Sequence, residues 1–248
     1  FEIMMRQNRM QGNRPPEYLS THPLTQSRVA DTRNRAEQYP DEDIRDGQEY
    51  HLMRSRLQVR YAPSPEIAVE TFEGYLKQPD AQRNDAIRYG LAVAYTEDRQ
   101  YEKAADILND LLAGNPGRIT FQVSLAEVRL AQNRPDDARA ILMGALARNP
   151  GNYPITYALA ETEIADGNGL AAAEHLKQLT RKLPGQEQLW LKLAEAEGMA
   201  RNIVGVHRAR AEYDVLMGDL EAAQRQLRQA QEKLPAGAPQ RQVVTERL

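Results

Sequence analysis

This 248-residue chain has no cysteine, so candidates for catalysis or metal binding are sought first among its four histidines. Without a thiol the chain has no thiolate nucleophile and no sulfur ligand for zinc. A two-histidine metal site on one helix face needs the spacing His-Glu-x-x-His, and none of the four histidines begins that motif. We therefore expect no cofactor in this chain by itself and no hydrolytic activity of its own.

One histidine lies in a segment that could present it to a substrate or a metal. His22 precedes Pro23, and a residue before proline is held extended, so the imidazole projects from a stiff turn. A helix is predicted over about 25–38, and it places Arg28 one turn in, where it could face the same space. The remaining histidines lie in helical segments and are interpreted as surface or seam residues: His51, His175 and His207.

A 34-residue internal repeat determines the elements that position the other candidates. A fixed period of this length is typical of arrays of helical hairpins. Each unit reads as a helix, a short turn, a second helix and a proline that stops it. We predict repeats over 85–118, 119–152 and 153–186, with a fourth from Glu187. The recurring residues are Pro116, Pro150 and Pro184; Ala104, Ala138 and Ala172; Leu108, Leu142 and Leu176; and Leu91-Ala92, Leu125-Ala126, Leu159-Ala160 and Leu193-Ala194.

The ends of the array are less regular than its middle. Pro235 lies 51 residues after Pro184, so we predict an extra half-repeat, with a helix over about 203–217 packed against both neighbours. Residues 47–61 and the helix around Phe72 are either a divergent first repeat or two capping helices, since terminal units are commonly atypical. The predicted segments are residues 1–46, a solenoid over 47–236 and a tail over 237–248.

These columns resemble the tetratricopeptide repeat. The small residues, the large apolar residues beside them and the proline near the end of each unit match that family, as do Tyr101 and Trp190. The resemblance covers roughly residues 85–235. It implies an all-α solenoid of helix-turn-helix units that binds other proteins.

The same resemblance implies a binding groove lined by the first helix of each unit. At one groove position three units carry glutamate, and like charges held together favour a cationic partner. We predict a groove that binds an extended or helical protein segment with apolar and basic side chains. The alternative is that each glutamate pairs with an arginine of the adjacent helix. The predicted groove residues are Tyr89, Val123, Glu127, Tyr157, Glu161, Leu191 and Glu195.

The segment Leu-Ser-Thr-His-Pro-Leu at 19–24, with Arg28, a helix and then the repeats, resembles periplasmic zinc metallopeptidases that carry a C-terminal tetratricopeptide domain. This implies that the chain is the C-terminal part of such an enzyme, with a remnant of the metallopeptidase domain before the solenoid. In that family a His-Glu-x-x-His helix and a downstream glutamate hold zinc. By resemblance, His22 would lie over the metal and could ligate it once the catalytic half is present, and Arg28 would line the site.

The metallopeptidase resemblance also implies a function. The full-length parent would be a zinc-dependent endopeptidase and chaperone of the periplasm, acting in outer-membrane protein assembly and quality control. Its implied partners are the outer-membrane β-barrel assembly machinery and client outer-membrane proteins, recruited by the repeats. The rival is a non-enzymatic tetratricopeptide scaffold or co-chaperone, which explains residues 47–248 equally well and leaves 16–28 as coincidence.

Composition narrows the class of partner. Lys and Arg total 32 against 35 Asp and Glu, for a net charge of −3, so no general nucleic-acid-binding field is expected. No run approaches the 18 or so apolar residues of a membrane-spanning helix. With 41% hydrophobic but only 6% aromatic residues, the chain favours a helical core over a β-sandwich.

Overall fold

The computed structural model describes residues 26–36, 47–235 and 238–247. By its internal contacts the chain divides into two units, 1–46 and 47–248.

The first unit is described through one helix, α1 (Gln26–Ala36). It lies within the helix predicted over 25–38, and a salt bridge one turn long joins Arg35 to Asp31 at 3.0 Å. The rest of the predicted peptidase remnant, including His22, lies outside the described residues.

The described part of the second unit is entirely helical, which confirms the all-α class. In the part of the chain that the structure describes, no helix combines the length and apolarity needed to cross a membrane. The helices are α2 (Gln48–Arg60), α3 (Pro65–Leu76), a short 3-10 helix (Pro79–Ala81), α4 (Asp85–Glu97), α5 (Tyr101–Gly114), α6 (Ile119–Ala131), α7 (Pro135–Arg148), α8 (Tyr153–Ala165), α9 (Gly169–Lys182), α10 (Glu187–Met199), α11 (Ile203–Leu216), α12 (Leu220–Lys233) and α13 (Pro239–Arg247).

The helices follow the predicted 34-residue repeat without insertion or deletion. Helices α4, α6, α8 and α10 are the first helices of four repeats, and they begin at residues 85, 119, 153 and 187. Helices α5, α7, α9 and α11 are the second helices, and they begin at 101, 135, 169 and 203. Each second helix packs against the first helix of its own repeat and of the next. The 34-residue step therefore holds for every helix of the array.

The helix predicted as an extra half-repeat over about 203–217 is confirmed. It is α11 (Ile203–Leu216), which packs against both α10 and α12. Gly218 ends α11 with φ +81°, and the Asp219 amide bonds back to the Asp214 carbonyl at 2.9 Å, as at the turn inside each repeat. Helix α12 therefore follows α11 as a second helix follows a first, and Pro235 comes after α12 as Pro184 comes after α9.

A left-handed residue ends every first helix from α4 to α10. The positions are Arg99, Asn133, Gly167 and Arg201, with φ between +58° and +79°. The next amide then bonds back to the carbonyl five residues earlier, as from Gln100 to Tyr95 at 2.8 Å. This is the Schellman arrangement, which satisfies helix-end carbonyls while reversing the chain.

The recurring alanines and leucines of the repeat lie in the interfaces between helices, here called the seams. Small alanines let paired helices approach closely, and leucines fill the space between units. The alanines 104, 138 and 172 are fully buried, and so are the leucines, at no more than 1% exposed: Leu108, Leu142 and Leu176.

Helix α3 behaves as the second helix of a preceding unit, since it packs against α4 and buries Ala68 and Phe72. Helix α2 does not pair with it. It makes few contacts with α3 and packs instead along α4, burying Leu52 and Val59 in the same core. Of the two interpretations left open by the sequence, the structure favours a cap for α2.

Replacing Gly167 by alanine is expected to lower the free energy of unfolding by about 1 kcal/mol, because a β-carbon is strained at φ > 0. Gly144 is the matched control: it lies inside α7, and an added β-carbon there meets only the Arg148 guanidinium, at 3.8 Å. Gly144→Ala should raise stability by roughly 0.5–1 kcal/mol through helix propensity. Urea unfolding followed by circular dichroism measures both, and changes of the same sign would contradict the assignment of the turn.

Candidate peptide-binding groove

The predicted groove residues lie on one surface, here called the groove face, formed by the first helices α4, α6, α8 and α10. Their exposure falls into two groups. Tyr89 is fully buried and Val123 is partly buried, whereas Leu191 is 45% exposed. The remaining residues are partly exposed. The three glutamate side chains, Glu127, Glu161 and Glu195, are 42–48% exposed, and Tyr157 is partly buried.

Tyr89, a predicted groove residue, is fully buried and lies in the covered part of the groove face. Helix α2 covers it. The Tyr89 hydroxyl shares a hydrogen bond with Ser124 Oγ at 3.1 Å and accepts one from Arg56 Nη1, also at 3.1 Å. Tyr89 therefore anchors α2 on the groove face.

Arg56 of α2 reaches across α4 to α6. Its Nη2 atom donates to both carboxylate oxygens of Glu127, at 3.1 and 3.2 Å. Burial lowers the pKa of Arg56, but Glu127 and Tyr89 outweigh it and hold that pKa above its ordinary value. At the other end of α2, Glu49 pairs with Arg118 and accepts from Thr120 Oγ1 at 3.1 Å. Helix α2 thus closes the first half of the groove face.

The second half of the groove face is open and acidic. Lys192 Nζ lies 3.2 Å from a Glu195 oxygen and 3.9 Å from a Glu161 oxygen, so two carboxylates share one ammonium group. The Tyr157 hydroxyl interacts with the Glu161 carboxylate, and the Tyr157 ring stacks on Tyr153 with centroids 6.0 Å apart. One negative charge remains beside exposed aromatic and aliphatic surface.

Electrostatic effects in this open half follow from partial burial. Burial raises the pKa of Glu161, and Glu127 and Glu195 add to that effect while Lys192 opposes it. Burial, followed by the charge of Glu161, raises the pKa of Tyr157 to about 12. The predicted alternative, an arginine for each glutamate, holds for Glu127 alone, and its arginine comes from the cap rather than from a repeat.

Two further glutamates belong to the seams and not to the groove. Glu163 is 5% exposed and receives Arg139 Nε at 2.7 Å and Asn168 Nδ2 at 2.9 Å. Glu197, one repeat later, is 3% exposed and binds Lys177 Nζ at 3.1 Å and Asn202 Nδ2 at 2.7 Å. Sequence reasoning missed both, although a glutamate followed by asparagine five residues later recurs at the repeat step.

The predicted active-site residues are not tested by the described side chains. His22 lies outside the described residues, and Arg28 falls within α1 where only the backbone is described. Within the ranges 26–36, 47–235 and 238–247, no three or more histidine, aspartate or glutamate side chains come together as a metal site. No catalytic step is therefore assigned to the described residues.

The fold and the sequence define a class of protein. Profiles of the tetratricopeptide repeat match residues 61–119, 96–148 and 129–196, which together cover more than half of the chain. The chain belongs to the tetratricopeptide-repeat family. The matches begin after α2, in keeping with its position outside the repeats.

Among curated proteins the chain is similar to β-barrel assembly-enhancing proteases. That of Yersinia pestis is 32% identical over 122 residues, 49% of this chain and 25% of the relative. That of Escherichia coli K12 is 30% identical over 126 residues, 51% of this chain and 26% of the relative. The matched part is thus about a quarter of the length of these relatives, and the resemblance to this family of proteases is confirmed over half of the chain.

Solved structures share the fold. PilW, a type IV pilus biogenesis factor, has a TM-score of 0.57 at 17% identity and covers 80% of this chain and 98% of its own. A tetratricopeptide repeat protein from Parabacteroides merdae has a TM-score of 0.51 at 16% identity, covering 86% and 87%. At such identities the likeness concerns the fold alone.

Glu163→Gln is expected to lower the free energy of unfolding at neutral pH by about 2 kcal/mol, because it weakens a charge-assisted hydrogen bond in a buried seam. Burial alone would raise the pKa of Glu163, but Arg139 and Asn168 outweigh it and hold that pKa below the ordinary 4.5. The stabilisation by the Glu163 carboxylate is therefore complete above the ordinary pKa and is lost as the pH falls through the lowered pKa. Urea unfolding at neutral pH and below pH 4.5 should show the loss mainly at neutral pH.

Glu161→Gln is the matched control, two positions away on the same helix. Because the pKa of Glu161 is raised, the folded state disfavours its charge, and the contribution of Glu161 to stability declines as pH rises through that pKa. The variant should lack this decline and lose no stability at neutral pH. Equal losses in the two variants would contradict the division between groove and seam.

Proposed function

We propose that this chain is the partner-capturing module of a longer zinc-dependent endopeptidase and chaperone, located in the periplasm and acting in outer-membrane protein assembly and quality control. The observation that carries the capture function is the open acidic half of the groove face, where Glu161 and Glu195 share Lys192. The similarity to β-barrel assembly-enhancing proteases over half of the chain supports the setting.

The chemistry of the open half selects the kind of segment it captures. The excess carboxylate favours a basic side chain, and the exposed surfaces of Tyr153 and Leu191 favour apolar contacts. Residues from α8 and α10 converge there, so a bound segment runs across successive repeats. The proposed partners are the outer-membrane β-barrel assembly machinery and its client proteins.

Capture would serve catalysis through proximity. A client held by the repeats is presented to a linked peptidase site at a high effective concentration. In the parent, zinc would supply the hydrolytic chemistry from ligands of the catalytic half. His22 would cover the metal and Arg28 would line the site, as the family resemblance implies.

Charge reversal at Glu161 and Glu195 tests the capture function. Glu161→Lys with Glu195→Lys should abolish binding of the purified β-barrel assembly complex and of an unfolded outer-membrane β-barrel protein, because the basic segment is then repelled. Surface plasmon resonance on the immobilised chain measures both. Asp106→Lys, an exposed reversal on the second helix α5, is the matched control and should bind as wild type.

A result in which both reversals leave binding unchanged would remove the groove from the proposal. The enzymatic parent is tested separately by the complete reading frame: a His-Glu-x-x-His helix preceding this chain supports the peptidase, and its absence from the gene leaves the non-enzymatic scaffold or co-chaperone.

A further inference from the structure

Helix α2 occupies the groove face in the manner of a bound ligand. It packs along α4 rather than with its sequence neighbour α3, and its contacts to α6 are made by side chains. The packed face presents Leu52, Ser55, Arg56 and Val59, which follow one helical stripe. Arg56 is the charged member of that stripe, and it donates to Tyr89, to Ser124 Oγ at 3.4 Å and to Glu127.

The receptor for Arg56 recurs in the open half of the groove face. Tyr157 and Glu195 each lie 68 residues after Tyr89 and Glu127, which is two repeats of 34. Because corresponding residues occupy corresponding places in successive repeats, a tyrosine of one first helix again faces a glutamate of the next. The charge of Glu195 acts on the Tyr157 hydroxyl, in keeping with their proximity.

Two differences distinguish the open receptor from the covered one. Lys192 stands at the place of Ser124, 68 residues later, and Glu161 adds a second carboxylate that interacts with Tyr157. Two carboxylates and one ammonium group leave a charge of −1, where Arg56 and Glu127 leave none. One more cation would therefore neutralise the open receptor.

We propose that the open receptor formed by Tyr157, Glu161 and Glu195 binds an arginine side chain presented by an α-helix of a partner protein, as Tyr89 and Glu127 bind Arg56 of α2. This inference rests on the proposed function and names the ligand. Arginine fits better than lysine because its planar guanidinium can donate to a carboxylate and a hydroxyl at once. By analogy with α2, the partner helix carries an apolar residue four positions before the arginine and another three positions after it.

A labelled synthetic peptide with the sequence of residues 48–61, titrated into the full chain and followed by fluorescence anisotropy, tests the proposal. Replacing Arg56 by alanine in the peptide should weaken binding about tenfold or more, and lysine should restore it only in part. The matched control is Arg54→Ala in the peptide. It removes the same charge from the exposed face of α2 and should change the affinity by less than about twofold.

Variants of the protein locate the bound peptide. Glu195→Gln should weaken binding about tenfold, whereas Asp106→Asn, an exposed change on the second helix α5, should not. Glu127→Gln tests the half covered by α2, where the peptide could bind only in place of α2. Glu127 and Glu195 are more than 40% exposed, and circular dichroism verifies that each variant folds. Dependence on Glu127 alone would mean that the peptide displaces the chain's own α2, and it would overturn the proposal.

Two further outcomes separate this inference from the proposed function. Binding that is indifferent to Arg56 of the peptide overturns the arginine receptor. If reversal of Glu161 and Glu195 still abolishes binding of the assembly complex in that case, the capture function is retained and only the arginine-bearing helix is rejected as its ligand. If the peptide binds through Glu195 but the assembly complex does not bind at all, the receptor stands and the proposed partners fall.

Discussion

The strict 34-residue interval between helix starts is the constraint on which the remaining features depend. It is held by small residues where helices meet and by a left-handed residue at each turn, as at Asn133 and Gly167. Inserting or deleting one residue within a first helix would rotate its later residues by about 100° around the helix axis and carry its groove residues away from the face. Because the interval is kept, the residues 127, 161 and 195 fall on successive helices of one surface.

Helix α8 illustrates how this constraint assigns opposite tasks to the same residue type. Glu161 and Glu163 are two positions apart, which on a helix is close to opposite sides. Glu163 points into the seam, where Arg139 and Asn168 lower its pKa, while Glu161 points to the groove face, where burial raises its pKa. One carboxylate stabilises the stack of repeats, and the other is stabilised only in part and remains available to a ligand.

The sequence was sufficient for the repeated part of the fold and for the position of the groove glutamates, because periodic small and large residues report which faces are packed. It was insufficient where periodicity ends. Arg56 could not be found, because α2 lies outside the repeats and no spacing links residue 56 to residue 127. The buried ion pairs of the seams could be predicted only in part. Glu163 and Glu197 occupy equivalent positions of successive repeats, but their cations, Arg139 and Lys177, do not.

The position of α2 determines where charge is left on the groove face. Arg56 neutralises Glu127 through two hydrogen bonds, and Tyr89 is buried beneath the same helix. The Arg56–Glu127 pair therefore leaves no net charge in the first half of the face. In the second half Lys192 serves both Glu161 and Glu195, and an ammonium group 3.9 Å from one of them cannot compensate both in full. A face that would otherwise attract cations along its whole length is thereby reduced to one acidic place between α8 and α10. Such confinement favours a single register for a bound helix, because a basic side chain shifted by two repeats toward the first half would meet Arg56 and be repelled.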